Sequence, residues 1–152
     1  MLDKSERTIL QVLQSSGRIT NADLAERIGL SESPTFRRVK QLEATGAIRG
    51  YAADVDQHKL GLAVTAFVQV TMEKQPDDAT QAFHAQVNAE PHIIECHAMS
   101  GSHDYVMKVV ARDIEHFSEL VMQHILKYPG VMHVESSFSM KAIKQTRVLP
   151  TG

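Results

Sequence analysis

The segment from Ser33 to Leu42 holds three cations, Arg37, Arg38 and Lys40, and no acid. Hydroxyl side chains stand around its start at Ser31, Ser33 and Thr35, and Gln41 follows the cations. On a helix, short hydroxyls at the N-terminus reach phosphate oxygens, while long Arg or Gln side chains reach base edges in a major groove. The set is therefore a candidate for reading double-stranded DNA. A merely solvated amphipathic helix can carry the same Arg-Arg pair, so spacing alone leaves both readings open.

Other chemistries find less support. Cys96, His97 and His103 raise the question of a metal, but adjacent strand residues point to opposite faces, so Cys96 and His97 cannot easily share one ion. No Cys-x-x-Cys or His-x-x-x-His pair with further ligands accompanies them, and no metal or other cofactor is expected. Ser100, His103 and Asp104 have the residue types of a hydrolase triad. As neighbours at a strand start, however, His103 and Asp104 diverge rather than align, and nothing supplies an oxyanion hole. Cys96 reads as a small buried hydrophobe, and the methionines as core filling. An enzyme is not expected.

The elements that must position these residues follow from caps and periodicity. Asp3 and Glu6 read as N-cap and N3 of a first helix carrying Ile9, Leu10 and Leu13, with Gly17 just beyond its end. Thr20 and Asp23 start a second helix with Leu24, Ala25 and Ile28 turned inward, and Gly29 ends it. Ser31 or Ser33 caps a third, with Pro34 in its first turn. Phe36, Val39 and Leu42 are its expected buried stripe, and Gly46 closes it. Ser33, Arg37 and Gln41 then lie opposite that stripe, with Arg38 and Lys40 on its flanks. Two helices joined by Gly29-Leu30-Ser31, the second basic outside, make a helix-turn-helix. Ile48–Val55 reads as a short strand or hairpin arm, and Tyr51 as packing at the hinge.

Beyond a polar interruption at 54–59 the period changes to two. Ala66, Val68, Val70 and Met72 alternate with polar or outer residues as a strand. Ala79, Phe83 and Val87 mark a helix, and 92–99 and 104–111 two strands around Ser100-Gly101-Ser102. Ile114, Phe117, Val121 and Ile125 mark a second helix, stopped by Tyr128-Pro129-Gly130. Val134, Ser136, Phe138 and Met140 form a last strand, and 145–152 a tail or edge strand. The order βαββαβ predicts a ferredoxin-like sandwich with both helices on one face of the sheet. The expected class is α+β, with a winged helix-turn-helix domain at 1–55, a hinge at 56–61 and the ferredoxin-like domain at 62–152.

Composition is consistent with this. The 152 residues carry a net charge of −2 and one cysteine, which excludes an internal disulfide and fits a reducing cytoplasm. Residues 1–54 hold eight basic and seven acidic side chains, residues 55–152 eight and eleven, so the positive charge is local rather than global. No window approaches a membrane span, and the N-terminus lacks the apolar core of a signal peptide.

The run RITNADLAERIGLSESPTFRRVKQLEATGAIRGY resembles the winged helix-turn-helix of the leucine-responsive/AsnC (feast/famine) family of regulators, and LDKSERTIL resembles that family's opening. The segment IIECHAMSGSHDYVMKV, with its G-x-x-D-Y motif, and YPGV before the last strand are similar to the family's second domain. The resemblance runs from Leu2 to about Lys144 and leans towards the leucine-responsive subgroup. It implies an amino-acid-responsive transcription regulator, cytoplasmic and associated with the nucleoid. It also implies assembly through dimers to an octamer. An effector would lie at the loop Ser100, Gly101, Ser102, His103 and Asp104, with Met99 and Phe138 offering apolar surface. Backbone N–H groups around the glycine could cradle a carboxylate and Asp104 could receive an ammonium, which suits a free amino acid, leucine or methionine before asparagine. The residues alone are equally those of an ordinary turn, with Asp104 capping it. Two alternatives stand beside this reading. One is an architectural protein that wraps DNA without an effector; the other is a small-metabolite enzyme on the ferredoxin-like sheet.

Overall fold

The structure is a computed structural model that describes residues 2–73 and 77–152. The chain divides into two units, Met1–Asp54 with Ile143–Gly152, and Val55–Ala142.

In the first unit, α1 spans Lys4–Ser15, α2 Asn21–Ile28 and α3 Glu32–Ala44. Each start has a local cause. Asp3 and Glu6 form a complete reciprocal capping box on α1, and the Thr20 side chain accepts from the Asp23 N–H at the head of α2. Gly29 ends α2 at φ 70°, a left-handed conformation that costs glycine nothing. The three helices meet over Ile9, Leu24 and Leu42, with Leu10, Leu13, Ile28 and Val39 packed around them.

The second unit opens with a 3₁₀ turn at Gln57–Leu60 and continues as β1 (Val64–Met72), α4 (Asp77–Ala89), β2 (Ile93–Ala98) and β3 (Tyr105–Ala111). It ends with α5 (Ile114–Glu119) and β4 (Val131–Phe138). The sheet order is β2-β3-β1-β4 with antiparallel neighbours throughout, which is what two interleaved βαβ units produce. Val68 pairs with Met107 on one side and Ser136 on the other. Val68, Val70, Met107 and Val109 share one core with Phe83 of α4 and Phe117 of α5, so both helices cover the same face.

Four expectations are corrected. Ile48–Val55 forms no strand, for a strand needs an edge to pair with, and no other strand of the described residues joins it. The helix from Ile114 does not run regularly to Ile125: after Glu119 it widens to a π turn at Leu120–His124 and tightens to a 3₁₀ turn at Ile125–Lys127. Ile114 is exposed, whereas Phe117, Leu120 and Ile125 are buried. Met140 lies beyond β4, almost fully exposed, rather than within it. Finally, residues 143–152 pack with the first unit, not the second: Gln14 donates to the Leu149 carbonyl at 3.0 Å and accepts from the Leu149 N–H at 2.6 Å. Arg7 donates to the Thr151 carbonyl at 2.7 Å.

Candidate nucleic-acid interface and effector loop

The third helix has a buried stripe and an outward one, but the buried stripe is not the expected one. Thr35 and Leu42 are 0% and 1% exposed, while Phe36 is 53% exposed. Residues 35, 39 and 42 follow the i, i+4, i+7 template of one helix face, whereas 36, 39 and 42 drift by about 60° at each step. Thr35 tolerates burial because its hydroxyl donates to the Ser31 carbonyl at 2.9 Å. It is therefore withdrawn from the expected DNA-reading set. Ser33, Phe36, Arg37, Lys40 and Gln41 are exposed on the outward side. Ser31 holds the N-cap position without a side-chain cap bond, and the Asn21 side chain donates to the Glu32 carbonyl at 3.0 Å, tying the start of α3 to that of α2.

The cations of α3 differ in their commitments. Arg38 is ion-paired with Asp3, the N-cap of α1, so it fixes α3 to α1 instead of standing free. The Asp3 carboxyl is held below its ordinary pKa, first by the Glu6 N–H and then by Arg38. Lys40 lies 2.9 Å from Glu43 and 5.6 Å from the centroid of the Phe36 ring. That hydrogen bond from Lys40 is the foremost cause of a lowered Glu43 pKa, and the Tyr51 hydroxyl donates to the same carboxylate at 3.2 Å. Tyr51 thus packs within the first unit against α3, and burial, then Glu43, raises its own pKa.

In the second unit the loop between β2 and β3 is fastened to the end of β1. The Asp104 N–H donates to the Val70 carbonyl at 2.9 Å, its carbonyl accepts from the Met99 N–H at 2.8 Å, and Oδ2 accepts from the Met72 N–H at 2.7 Å. His103 Nδ1 lies 3.3 Å from the Thr71 hydroxyl, and its Nε2 3.8 Å from Glu135. Asp104 is thus a turn cap, whatever else it does. Ser100, Gly101, Ser102 and Met99 are exposed. Gly101 is not in the left-handed region, and among the described residues a Cβ built on it would meet nothing within 4 Å. Nothing in the packing of the described residues calls for glycine there.

Phe138 does not join this loop. It pairs with Ala66, while the loop meets β1 at Val70 and Met72, about 13 Å further along the strand at 3.3 Å per residue. Its ring stands edge-on to Phe117 at 4.9 Å. Cys96 pairs with Met107 and packs on the core, and burial raises its pKa. His97 lies 3.5 Å from Glu95. Among the described residues no group of three or more His, Cys, Asp or Glu side chains could hold a metal ion.

One cluster is not legible in the sequence, because His116 and His124 stand far from Glu90 and His92 there. The nearly buried Glu90 carboxylate lies 2.9 Å from His92 Nδ1 and 3.1 Å from His124 Nδ1, and the His92 ring stands against His116. Burial pushes the Glu90 pKa up, but the hydrogen bonds from His92 and His124 outweigh it and the net shift is downward.

A three-helix head with an outward cationic stripe, joined to an antiparallel α+β unit with a loop fastened at its sheet end, defines a class of two-domain regulator. The comparisons identify which. Residues 2–49 match the family model for winged helix-turn-helix DNA-binding domains, and residues 65–149 that for the Lrp/AsnC ligand binding domain. The chain belongs to the Lrp/AsnC family of transcription regulators. It is 36% identical to the leucine-responsive regulatory protein of Salmonella typhimurium over 97% of this chain and 90% of that protein. It is 33% identical to the transcriptional regulator AzlB of Bacillus subtilis over 99% and 96%. A Neisseria meningitidis transcriptional regulator solved as an L-Met complex superposes with a TM-score of 0.95 at 42% identity, covering 99% of this chain and 97% of that one. No helix of the described residues is long and apolar enough to cross a membrane.

Proposed function

We propose that this regulator reads double-stranded DNA with the outward face of α3 and answers to a free amino acid bound at the loop Met99–Asp104. In the reading head, Arg37 and Gln41 contact base edges, while Ser31, Ser33 and Lys40 contact phosphates. Arg38 positions the helix through Asp3. In the second unit the backbone around Gly101 receives the effector's carboxylate, and Asp104, whose Oδ2 is taken by Met72, receives the ammonium through Oδ1. Met99 offers apolar surface to an uncharged side chain, and methionine or leucine is the favoured effector. The protein works in the cytoplasm on the nucleoid, as at least a dimer and in its full form an octamer, and is not an enzyme. Two heads per dimer compensate for the few free cations of each.

One observation carries the effector reading. Among the described residues nothing stands within 4 Å of a Cβ at Gly101, whose backbone conformation asks for no glycine, so the exposed loop leaves room for a ligand to approach its backbone. The likeness to a protein solved with L-Met supports the choice of ligand. A thermal-shift screen of the twenty amino acids, followed by calorimetric titration of the hits, tests it. Methionine or leucine should raise the melting temperature by mass action. The absence of binding heat from all twenty would favour the architectural alternative.

A further inference from the structure

We propose that Phe36 is itself a sequence-reading residue of α3, making apolar contact with the C5-methyl group of a thymine in the major groove. The proposal rests on the reading of α3 as the DNA-contacting helix and names a specificity that the cations cannot supply. Thr35 takes the inward place on the helix, so Phe36 is left 53% exposed on the second turn. Ser33, Phe36, Arg37 and Lys40 follow the i, i+3, i+4, i+7 spacing of a single continuous stripe, so the ring lies between the phosphate-reaching hydroxyl and the cations. Phe36 lies in the N-terminal half of α3, and N-terminal residues of a recognition helix contact base edges. A phenyl ring has no hydrogen-bonding group, and the thymine methyl is the one apolar group that the four bases present in the major groove. The Lys40 ammonium, 5.6 Å from the ring centroid, restrains the ring by cation–π attraction while keeping positive charge beside it.

A competing role is visible. Phe36 also rims a groove of 210 Å³ with Leu13, Gly17, Ile19 and Tyr51, and a protein segment laid into that groove would cover the ring. The ring's place on the outward stripe with Ser33, Arg37 and Lys40 suits DNA contact, and the thymine-to-uracil comparison below separates the two roles.

The test uses the full chain and duplexes selected by it from a random library. Each thymine of a selected site is replaced in turn by uracil, which removes only the methyl group, and affinities are measured for the wild type, Phe36→Ala, Phe36→Leu and Arg37→Ala. Wild type should lose about four-fold at one thymine of each half-site, the transfer value of one carbon. Phe36→Ala should bind the thymine and uracil duplexes equally with an unchanged melting temperature, and Phe36→Leu should keep part of the difference. Insensitivity of the wild type to every replacement overturns the proposal. So does a Phe36→Ala protein that stays methyl-sensitive, or one that loses affinity for all duplexes alike together with self-association by light scattering. If Arg37→Ala also leaves binding unchanged, the assignment of α3 as the reading helix has failed, which is a separate outcome from failure at Phe36 alone.

Discussion

Helix α3 and the loop Met99–Asp104 both carry a run of polar side chains and turn them in opposite directions. On α3 the outward side chains leave Arg37, Gln41 and Ser33 exposed, because burial is handled on the other side by Thr35, Val39 and Leu42. At the loop, Asp104 and His103 are turned back onto β1, through Met72, Val70 and Thr71. A helix separates its scaffold from its tools by the angle between faces. A turn has no second face, so the side chains that hold its backbone are the same ones that the proposed ligand would have to use. The outward stripe of α3 is therefore built within one short segment, whereas the loop lacks its expected apolar companion, Phe138.

Substitutions can break this contrast, and the largest effect should come from the scaffold side of α3. Leu42→Ala opens a cavity in the small core it shares with Ile9 and Leu24 and should cost the head about 2–5 kcal/mol. Specific DNA binding should vanish while the second unit keeps its own transition in calorimetry. Next is Asp104→Asn, which keeps an acceptor for the Met72 N–H but discards the charge. Amino-acid affinity should fall by about 1.5–3 kcal/mol, read by titration, with little change in melting temperature. Equal binding by the variant would reduce Asp104 to the turn cap it demonstrably is.

Arg37→Ala should cost about 1–3 kcal/mol of discrimination between operator and mismatched duplex in mobility shifts. Arg38→Ala, since its partner is Asp3, should lose less and leave the sequence preference unaltered. Gly101→Ala sharpens the loop side of the comparison. Its backbone needs no left-handed conformation and its Cβ has room, so stability should hold or rise by about 0.4–1 kcal/mol while effector binding weakens. An alanine variant that binds the effector normally would return Gly101 to ordinary turn duty.

The smallest effect is expected from pH. The Glu90 carboxyl is lowered from its ordinary 4.5 in the folded chain, burial being outweighed by its bonds to His92 and His124. A group lowered in this way contributes stability above that value, and the contribution is lost as the pH falls through the folded pKa. Melting temperature should drop more steeply below pH 4.5 in the wild type than in Glu90→Gln.

What could be read from the sequence was local. Capping at Asp3 and Thr20, the left-handed Gly29 and the alternation along β1 each depend on residues a few places apart, and the structure has all of them. The sorting of Thr35 and Phe36 is not legible in the sequence, because polarity is a poor guide to burial where the Ser31 carbonyl satisfies the threonine. The outward side of α3 followed from sequence once the helix did, but the pairing of Arg38 with Asp3, 35 positions apart, did not. The same holds for the separation of Phe138 from the loop, which depends on strand register, and for Glu90 with His124.

The clasp of residues 143–152 on α1 has a practical consequence. Although these residues follow the sheet unit in sequence, Gln14 and Arg7 hold them against the reading head. A Cβ at Gly152 would come within 2.5 Å of the Arg7 guanidinium. A label placed on this segment would therefore lie beside α1 rather than beside the sheet. A fluorophore attached to residues 143–152 would report on the first unit, although its attachment point follows the second in sequence.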